Sequence, residues 1–161
     1  MTTKTSVRFA LVPLADLRAH EEIVATDLPA LVAEIRALGR LQYPIWVADG
    51  SLVILNGHHR VAALRRLGAV RAPAWLIDYH SPAIHVDRWS PGPPISKVEV
   101  ERRAREGLLF PPKTTKHLLD LDLGERPTPL AELMATGPAP AHAPPSTPSR
   151  RRPSPDPSVA R

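Results

Sequence analysis

The chain has 161 residues, no cysteine and a formal net charge of +5. This length allows one domain of ordinary size with a substantial core, and the absence of cysteine excludes disulfides and thiolate metal sites. No apolar run approaches the 18 residues that a membrane span needs, and Met1–Ser6 lacks a secretory hydrophobic region. We therefore expect a cytoplasmic protein.

The positive charge is concentrated toward the end of the sequence. Residues 137–161 contain four arginines and one aspartate, a net charge of +3, which leaves only +2 for residues 1–136. The same 25 residues include eight prolines and few large apolar side chains, a composition typical of disorder. We predict a folded domain over residues 1–136 and a disordered tail over 137–161. We do not expect the folded part to bind DNA.

The chain begins with a predicted strand and a predicted helix. Phe9–Leu14 is apolar and is predicted to be a short strand, and Asp16–Glu22 is predicted to be a turn or a short helical piece. Apolar residues then recur at helical spacing from Leu28 to Leu38. Asp27 (or the threonine before it) is the expected N-cap, and Gly39 is the expected C-cap.

A hairpin and a second helix are predicted next. Tyr43–Ala48 and Ser51–Leu55 are apolar runs joined by Asp49-Gly50, which is a strong signal for a two-residue hairpin turn. His58–Leu67 follows with apolar residues at helical spacing, and Gly68 is expected to end this helix.

In the second half, two more strands are predicted at Arg71–Asp78 and Ile84–Trp89. A capped helix at Ser96–Glu106, a polar loop at Phe110–His117 and a last helical turn at Leu130–Met134 are predicted after them. Ser96 and Glu99 are three residues apart, as in a capping box, and Gly107 is expected to end this helix. The strand at Ile84–Trp89 alternates in polarity, which predicts an edge or half-exposed position.

The densest group of chemically active residue types lies where the second hairpin strand meets the helix, at Asn56-Gly57-His58-His59-Arg60. A helix N-terminus has free N–H groups and a partial positive charge, and glycine lets a phosphate approach the backbone. Arginine contacts phosphate oxygens in pairs, and histidine donates hydrogen bonds or titrates near neutral pH. This segment therefore predicts a phosphate site. The alternative is that one histidine caps the helix while Arg60 pairs with a carboxylate.

Two further segments have residue types that suit the same chemistry. His20-Glu21-Glu22 offers a carboxylate that could act as a general base beside a phosphate. Lys113-Thr114-Thr115-Lys116-His117 offers hydroxyls and cationic groups that could hold a charged ligand. Taken alone, each segment is more simply explained as an exposed turn or a solvated basic loop.

Together, the three segments resemble the ParB/sulfiredoxin-like superfamily, and within it the free serine kinase branch. There the turn is Asp-Gly-His-His-Arg, a Pro-His-Glu segment lies upstream, and a Pro-Lys-Thr-Thr-Arg-His segment lies near the end. The corresponding segments here are Ala19–Glu21, Asn56–Arg60 and Pro112–His117, in the same order. The resemblance spans roughly Phe9 to Leu119. It implies an α/β (α+β) fold, with a small mixed sheet and packed helices.

The resemblance also implies a kinase that transfers a phosphoryl group from ADP or ATP, with Mg²⁺, to free L-serine or a similar hydroxy-amino acid. Glu21 matches the catalytic glutamate, and we assign His59 to catalysis as well as to phosphate binding. The implied phosphate- and nucleotide-binding residues are Asn56, Gly57, His58, His59 and Arg60, and the implied substrate-binding residues are Lys113, Thr114, Thr115 and His117. No side chain is assigned as a metal ligand.

The sequence departs from the kinase pattern at two places. Asn56 stands where the kinases have an acidic residue, and only Ser90–Ile95 stands where they have an extra lobe. Two alternatives therefore remain open, a ParB-like nucleotide- or DNA-binding module and a non-catalytic regulatory relative. The sequence makes no prediction of the oligomeric state.

Overall fold

A computed structural model describes residues 5–135 as a small mixed sheet with helices packed against it. The predicted tail over 137–161 lies outside the described residues, so the division into a domain and a tail stays a prediction. Within residues 5–135 there is no helix long and apolar enough to cross a bilayer.

The strands in chain order are β1 (Val7–Pro13), β2 (Arg40–Leu41), β3 (Ile45–Ala48), β4 (Ile54–Asn56), β5 (Arg71–Ile77), β6 (Ile84–Arg88), β7 (Thr115–Leu119) and β8 (Thr128–Pro129). The helices are α1 (Leu28–Leu38), α2 (His58–Arg66), α3 (Lys97–Glu106) and α4 (Leu130–Met134). Short 3-10 turns at Leu14–Asp16 and Ala25–Asp27 lie between β1 and α1.

The main sheet has the strand order β1-β5-β3-β4. β3 and β5 are parallel, whereas β1 pairs with β5 and β4 pairs with β3 in antiparallel fashion. Two antiparallel pairs, β2 with β8 and β6 with β7, accompany this sheet. The arrangement confirms the predicted small mixed sheet with packed helices.

The sheet separates two hydrophobic clusters, because successive side chains of a strand point to opposite faces. Val47 and Ile54 pack in one cluster with residues of α1 and α2. Val53 and Leu55 pack in the other with Tyr79 and with residues of α3. The end of β4 is therefore fixed from both faces, and this is where α2 begins.

Several predicted helix ends are confirmed. Gly39 and Gly107 follow α1 and α3 in the left-handed conformation, and the Ser96 side chain accepts a hydrogen bond from the Glu99 N–H. The predicted cap of α1 is wrong in one respect: Asp27 is at the N-cap position, but its side chain makes no capping hydrogen bond. A 3-10 turn precedes α1, so the backbone of Asp27 is already helical there.

The turn at Asp49-Gly50 is present, but the hairpin connection is longer than predicted, since β3 ends at Ala48 and β4 begins at Ile54. The carbonyl of Leu52 accepts a hydrogen bond from the Arg18 N–H at 2.9 Å, and the Ile54 N–H donates to the Arg18 carbonyl at 2.9 Å. The same residues still pair across the hairpin, because the Leu52 N–H donates to the Ala48 carbonyl at 3.0 Å and the Ala48 N–H donates to the Val53 carbonyl at 2.9 Å. Leu52 has a φ of +60°, so a residue in the left-handed conformation lengthens the connection.

The predicted polar loop Phe110–His117 is wrong in its second half, because residues from Thr115 onward form β7 and pair with β6. Thr115 and His117 are buried, whereas Leu118 is exposed. The inward positions of this strand are thus polar and an outward one is apolar, so its hydrophobicity pattern did not show a strand.

Candidate functional site

Gly57 makes the junction between β4 and α2 and has a conformation that strongly favours glycine. Its φ is +118°, and a Cβ atom built there would lie 2.5 Å from Cγ2 of Ile45. A side chain at this position would therefore meet both backbone strain and a steric clash. The sharp turn lets the first turn of α2 face a cavity.

This cavity has a volume of about 490 Å³. All three segments selected from the sequence contribute to its lining, together with Leu55 and Trp89: Glu21 from the first segment, Asn56, Gly57, His58, His59 and Arg60 from the second, and Lys113 and Thr115 from the third. The fold thus brings together segments that are far apart in the sequence.

The carboxylate of Glu21 holds the third segment in place. Its Oε1 accepts hydrogen bonds from the Thr114 N–H at 3.1 Å, the Thr115 N–H at 2.7 Å and the Thr115 hydroxyl at 2.8 Å. Among residues 5–135 its Oε2 accepts a single hydrogen bond, from the Lys113 N–H at 3.2 Å. Oε2 is therefore the oxygen with capacity to accept a further proton or hydrogen bond from a molecule in the cavity.

The two histidines of the turn bind the backbone of the segment that contains Glu21. Nε2 of His58 accepts from the His20 N–H at 3.2 Å, and Nε2 of His59 accepts from the Val24 N–H at 2.9 Å. Because Nε2 is the acceptor, each neutral ring has its proton on Nδ1. Burial holds the pKa of His58 well below its ordinary value, with smaller contributions from His20, His117 and His59, so His58 is neutral at physiological pH.

Arg60 contributes a positive charge at the edge of the cavity. One terminal nitrogen donates to the carbonyls of Tyr43 and Pro44 at 2.7 and 2.9 Å, and the other lies 3.4 Å from Oδ1 of Asn56. Burial lowers the pKa of Arg60 to about 10, so the group stays charged at neutral pH. Within residues 5–135 the expected alternative, an ion pair with a carboxylate, does not form. The charge is therefore available to an anion.

Thr114 and His117 do not line the cavity. The Thr114 hydroxyl donates to the Pro111 carbonyl at 2.6 Å, and Nε2 of His117 lies 2.8 Å from the Tyr79 hydroxyl. The alternation of β7 directs His117 into the core, where burial, followed by the charge of a protonated His20, lowers its pKa to about 3. The predicted contact of these two residues with substrate stays a prediction.

His20 was part of a selected segment but received no role from the sequence. It is fully buried, and Nε2 lies 2.9 Å from the Thr115 hydroxyl. Its ring contacts those of His58 and His117 edge-on, with centroids 4.6 and 5.6 Å away. Burial lowers the pKa of His20 to about 4, partly offset by the backbone of Ile54. A group of neutral histidines therefore lies directly behind Glu21.

The sequence also gave no role to Trp89, which follows β6 and is 62% exposed. The Lys116 ammonium lies 4.6 Å from the centre of its ring. An exposed tryptophan at the edge of a polar cavity offers a flat surface to a ligand. The only sequence signal was an aromatic residue at the end of a half-exposed strand.

A second cavity, of about 570 Å³, adjoins the first and shares Asn56 and Arg60 with it. Its lining is mainly aliphatic and aromatic and comes from α1, residues 40–46 and residues 121–124. The carboxylates of Glu34 and Asp122 lie at this lining. The two cavities together could hold a ligand that has an apolar ring system at one end and an anion at the other.

Two L-serine kinases are among the proteins similar in sequence to this chain. The ADP-dependent L-serine kinase of Thermococcus kodakarensis is 33% identical over 108 residues, which are 63% of this chain and 44% of that protein. The ATP-dependent L-serine kinase of Desulfurococcus mucosus is 34% identical over 116 residues, 65% of this chain and 45% of that protein. The chain thus spans less than half the length of these relatives. No family model matches the chain.

A ParB-like protein of Sulfolobus acidocaldarius is 38% identical over 74 residues, 46% of this chain and 37% of that protein. Among solved structures, a free serine kinase variant in complex with ADP superposes with a TM-score of 0.70 at 19% identity, covering 78% of this chain and 93% of that one. At this identity the superposition shows the fold. These relatives and this fold confirm the predicted resemblance to the free serine kinases and ParB-like proteins.

Proposed function

We propose that this protein is a kinase that transfers a phosphoryl group from ADP or ATP to the hydroxyl of free L-serine. The observation that supports this best is the meeting of three distant segments at one cavity, with a carboxylate, a helix N-terminus and a cationic loop facing the same space. The similarity to two L-serine kinases supports the same chemistry. Folding as one domain and action in the cytoplasm are part of the proposal.

The nucleotide phosphates would bind at the first turn of α2. Its free N–H groups and partial positive charge favour an anion there, and Gly57 keeps this surface free of a side chain. Arg60 adds a full charge, and Nδ1–H of His58 and His59 could donate to phosphate oxygens. The nucleoside would occupy the adjoining apolar cavity, because Arg60 and Asn56 border both spaces.

Magnesium would be held mainly by the nucleotide. Among residues 5–135 no group of three or more histidine, cysteine or acidic side chains could hold a metal ion, and the cavity offers one carboxylate, Glu21, and one amide oxygen, on Asn56. Mg²⁺ prefers oxygen ligands and often combines one or two protein groups with phosphates and waters. This donor set fits an ion that neutralises phosphate charge when bound.

Glu21 would act as the general base. Oε2 would accept the proton of the serine hydroxyl while the serine oxygen attacks the terminal phosphorus of the nucleotide. The bond between that phosphorus and the bridging oxygen of the nucleotide then breaks. The products are O-phosphoserine and AMP or ADP, according to the donor. His59 would assist on the phosphate side, and Lys113 and Thr115 would border the serine. Roles for Thr114 and His117 in substrate binding would require a rearrangement of the third segment.

The direct test is to incubate the protein with L-serine, Mg²⁺ and either ADP or ATP, and to measure O-phosphoserine by mass spectrometry. L-threonine and D-serine serve as comparison acceptors. We expect product with at least one donor and a preference for L-serine. Absence of phosphorylated product with both donors and all acceptors would refute the proposal.

A second candidate function is nucleotide binding without phosphoryl transfer. It is favoured by Asn56, which stands where the kinases have an acidic residue, and by the similarity to a ParB-like protein. Calorimetry would then show binding of ADP or ATP while the mass-spectrometric assay finds no product. A gel shift with duplex DNA at physiological salt distinguishes the ParB-like form of this candidate, because arginines in the tail alone should give only weak, salt-sensitive binding.

A further inference from the structure

Glu21 and His20 are adjacent in sequence and are also connected through the side chain of Thr115. The Thr115 hydroxyl lies 2.8 Å from Oε1 of Glu21 and 2.9 Å from Nε2 of His20. Both distances are within hydrogen-bond range. Thr115 begins β7, which pairs with β6, and is itself buried. Its hydroxyl is therefore held between the two side chains by the backbone of a strand.

The positions of the hydrogen atoms that connect His20, Thr115 and Glu21 can be assigned by counting donors. An ionised carboxylate only accepts, so the single proton of the Thr115 hydroxyl must point to Glu21. The hydroxyl oxygen can then only accept from Nε2 of His20, which must have the ring proton. Nδ1 of the neutral ring is left without a proton, and this buried atom makes no hydrogen bond to the described residues. The backbone of Ile54, which raises the pKa of His20, favours only the protonated ring. The direction of donation is thus His20 to Thr115 to Glu21.

We propose that His20 is a positioning residue for Glu21 and that it acts through the Thr115 hydroxyl. The proposal rests on the proposed kinase function, in which Glu21 is the base. Three donors hold Oε1, and the hydroxyl is the only side chain among them. This anchoring turns Oε2 toward the substrate and keeps Oε1 out of the proton transfer. His20 fixes the hydroxyl proton on Glu21, because its own Nε2–H prevents the hydroxyl from turning toward the histidine.

The structure makes this assignment testable without any assay of activity. His20 and His58 are predicted to be opposite tautomers, since Nε2 of His20 donates whereas Nε2 of His58 accepts from a backbone N–H. Two-dimensional ¹H–¹⁵N spectra of the histidine rings in the full chain at pH 7.5 distinguish the two forms. We expect a proton on Nε2 of His20 and on Nδ1 of His58. A proton on Nδ1 of His20 would overturn the proposal, because the Thr115 hydroxyl would then donate to the histidine.

The kinetic test removes the hydroxyl and then returns it. Thr115→Val should lower kcat by roughly 10–100-fold, the usual worth of a hydrogen bond to a charged group, and should change the KM values for serine and nucleotide by less than about threefold. Thr115→Ser should recover most of kcat. Thr128→Val is the matched control, because Thr128 is also buried but its hydroxyl donates to the Arg126 carbonyl outside both cavities.

An unchanged kcat in Thr115→Val, or an equal loss in Thr128→Val, would overturn the proposal. Failure of the kinase function gives a different result: the wild-type chain then makes no O-phosphoserine, while the ring spectra still decide whether His20 donates to Thr115. His20→Gln provides an independent check, because its amide can donate as Nε2–H does. We expect it to retain more activity than His20→Phe, which fills similar space and has no donor.

Discussion

Asn56 is the residue at which this site differs most from the pattern of the serine kinases. It is exposed at the end of β4, and its Oδ1 lies 3.4 Å from Arg60. A neutral amide can bind a metal ion or a hydroxyl but does not offset a positive charge. Asn56→Asp should therefore strengthen binding of the Mg²⁺–nucleotide complex and lower the half-saturating Mg²⁺ concentration by roughly tenfold. Product formation measured against Mg²⁺ concentration checks this, and an unchanged midpoint would contradict it.

The resemblance of three short motifs to the free serine kinases was sufficient to select the residues that meet at the cavity. Glu21, Asn56–Arg60, Lys113 and Thr115 were all chosen from short motifs, and all line the same space. The direction of each side chain could not be predicted in this way. Whether His117 faces the cavity or the core depends on the pleat of β7, which the sequence pattern did not show.

Donor and acceptor roles also depend on the fold. The sequence suggested phosphate contacts for His58 and His59, and the structure shows that Nε2 of each ring is already used by a backbone N–H. Such contacts join residues about 35 positions apart, and no local pattern records them. The contact of His20 with Thr115, on which its proposed role depends, could not be predicted from the sequence for the same reason.

At the scale of elements, the junction of β4 and α2 depends on Gly57. Gly57→Ala should destabilise the protein by about 2–5 kcal/mol, from positive-φ strain together with overpacking against Ile45. Gly50→Ala is the matched control, since Gly50 also has positive φ but no atom within 4 Å of the added Cβ. It should lose only about 1–2 kcal/mol. Urea unfolding measures both values, and equal losses would show that the clash with Ile45 is relieved without cost.

The helices were predicted better than the strands because their signals are local. Gly39, Gly107 and the Ser96 cap stand at the predicted ends of α1 and α3. The predicted hairpin length was wrong because Leu52 has a left-handed conformation that its residue type disfavours. The predicted start of β7 was wrong because it is decided by pairing with the distant strand β6. Propensity alone does not contain that information.

At the scale of the whole molecule, the buried histidines should make stability depend on pH. The pKa values of His20 and His117 are about 4 and 3, and that of His58 is also lowered, whereas unfolded histidine has a pKa near 6.5. Below that value the unfolded chain binds more protons than the folded one. Stability is therefore complete above about pH 7 and falls as the pH drops from 6.5 toward 4.

His20 and His117 should each remove about 2 kcal/mol of unfolding free energy between pH 7.5 and pH 5, and His58 should add to this loss in the same direction. Urea unfolding at a series of pH values measures the sum. His80→Gln should leave the slope unchanged, because His80 is exposed. A free energy of unfolding that stays constant or rises on acidification would show that the histidines are not held neutral by burial.

We propose that the chain phosphorylates serine with Glu21 as the base, and the decisive measurement is O-phosphoserine formation by Glu21→Gln. Glu22→Gln is the matched control, because Glu22 is the next residue, is exposed and does not line the cavity. We expect a wild-type rate for Glu22→Gln and a rate lower by about 10²–10⁴-fold for Glu21→Gln, the usual worth of a general base. Equal rates for wild type and Glu21→Gln would contradict it.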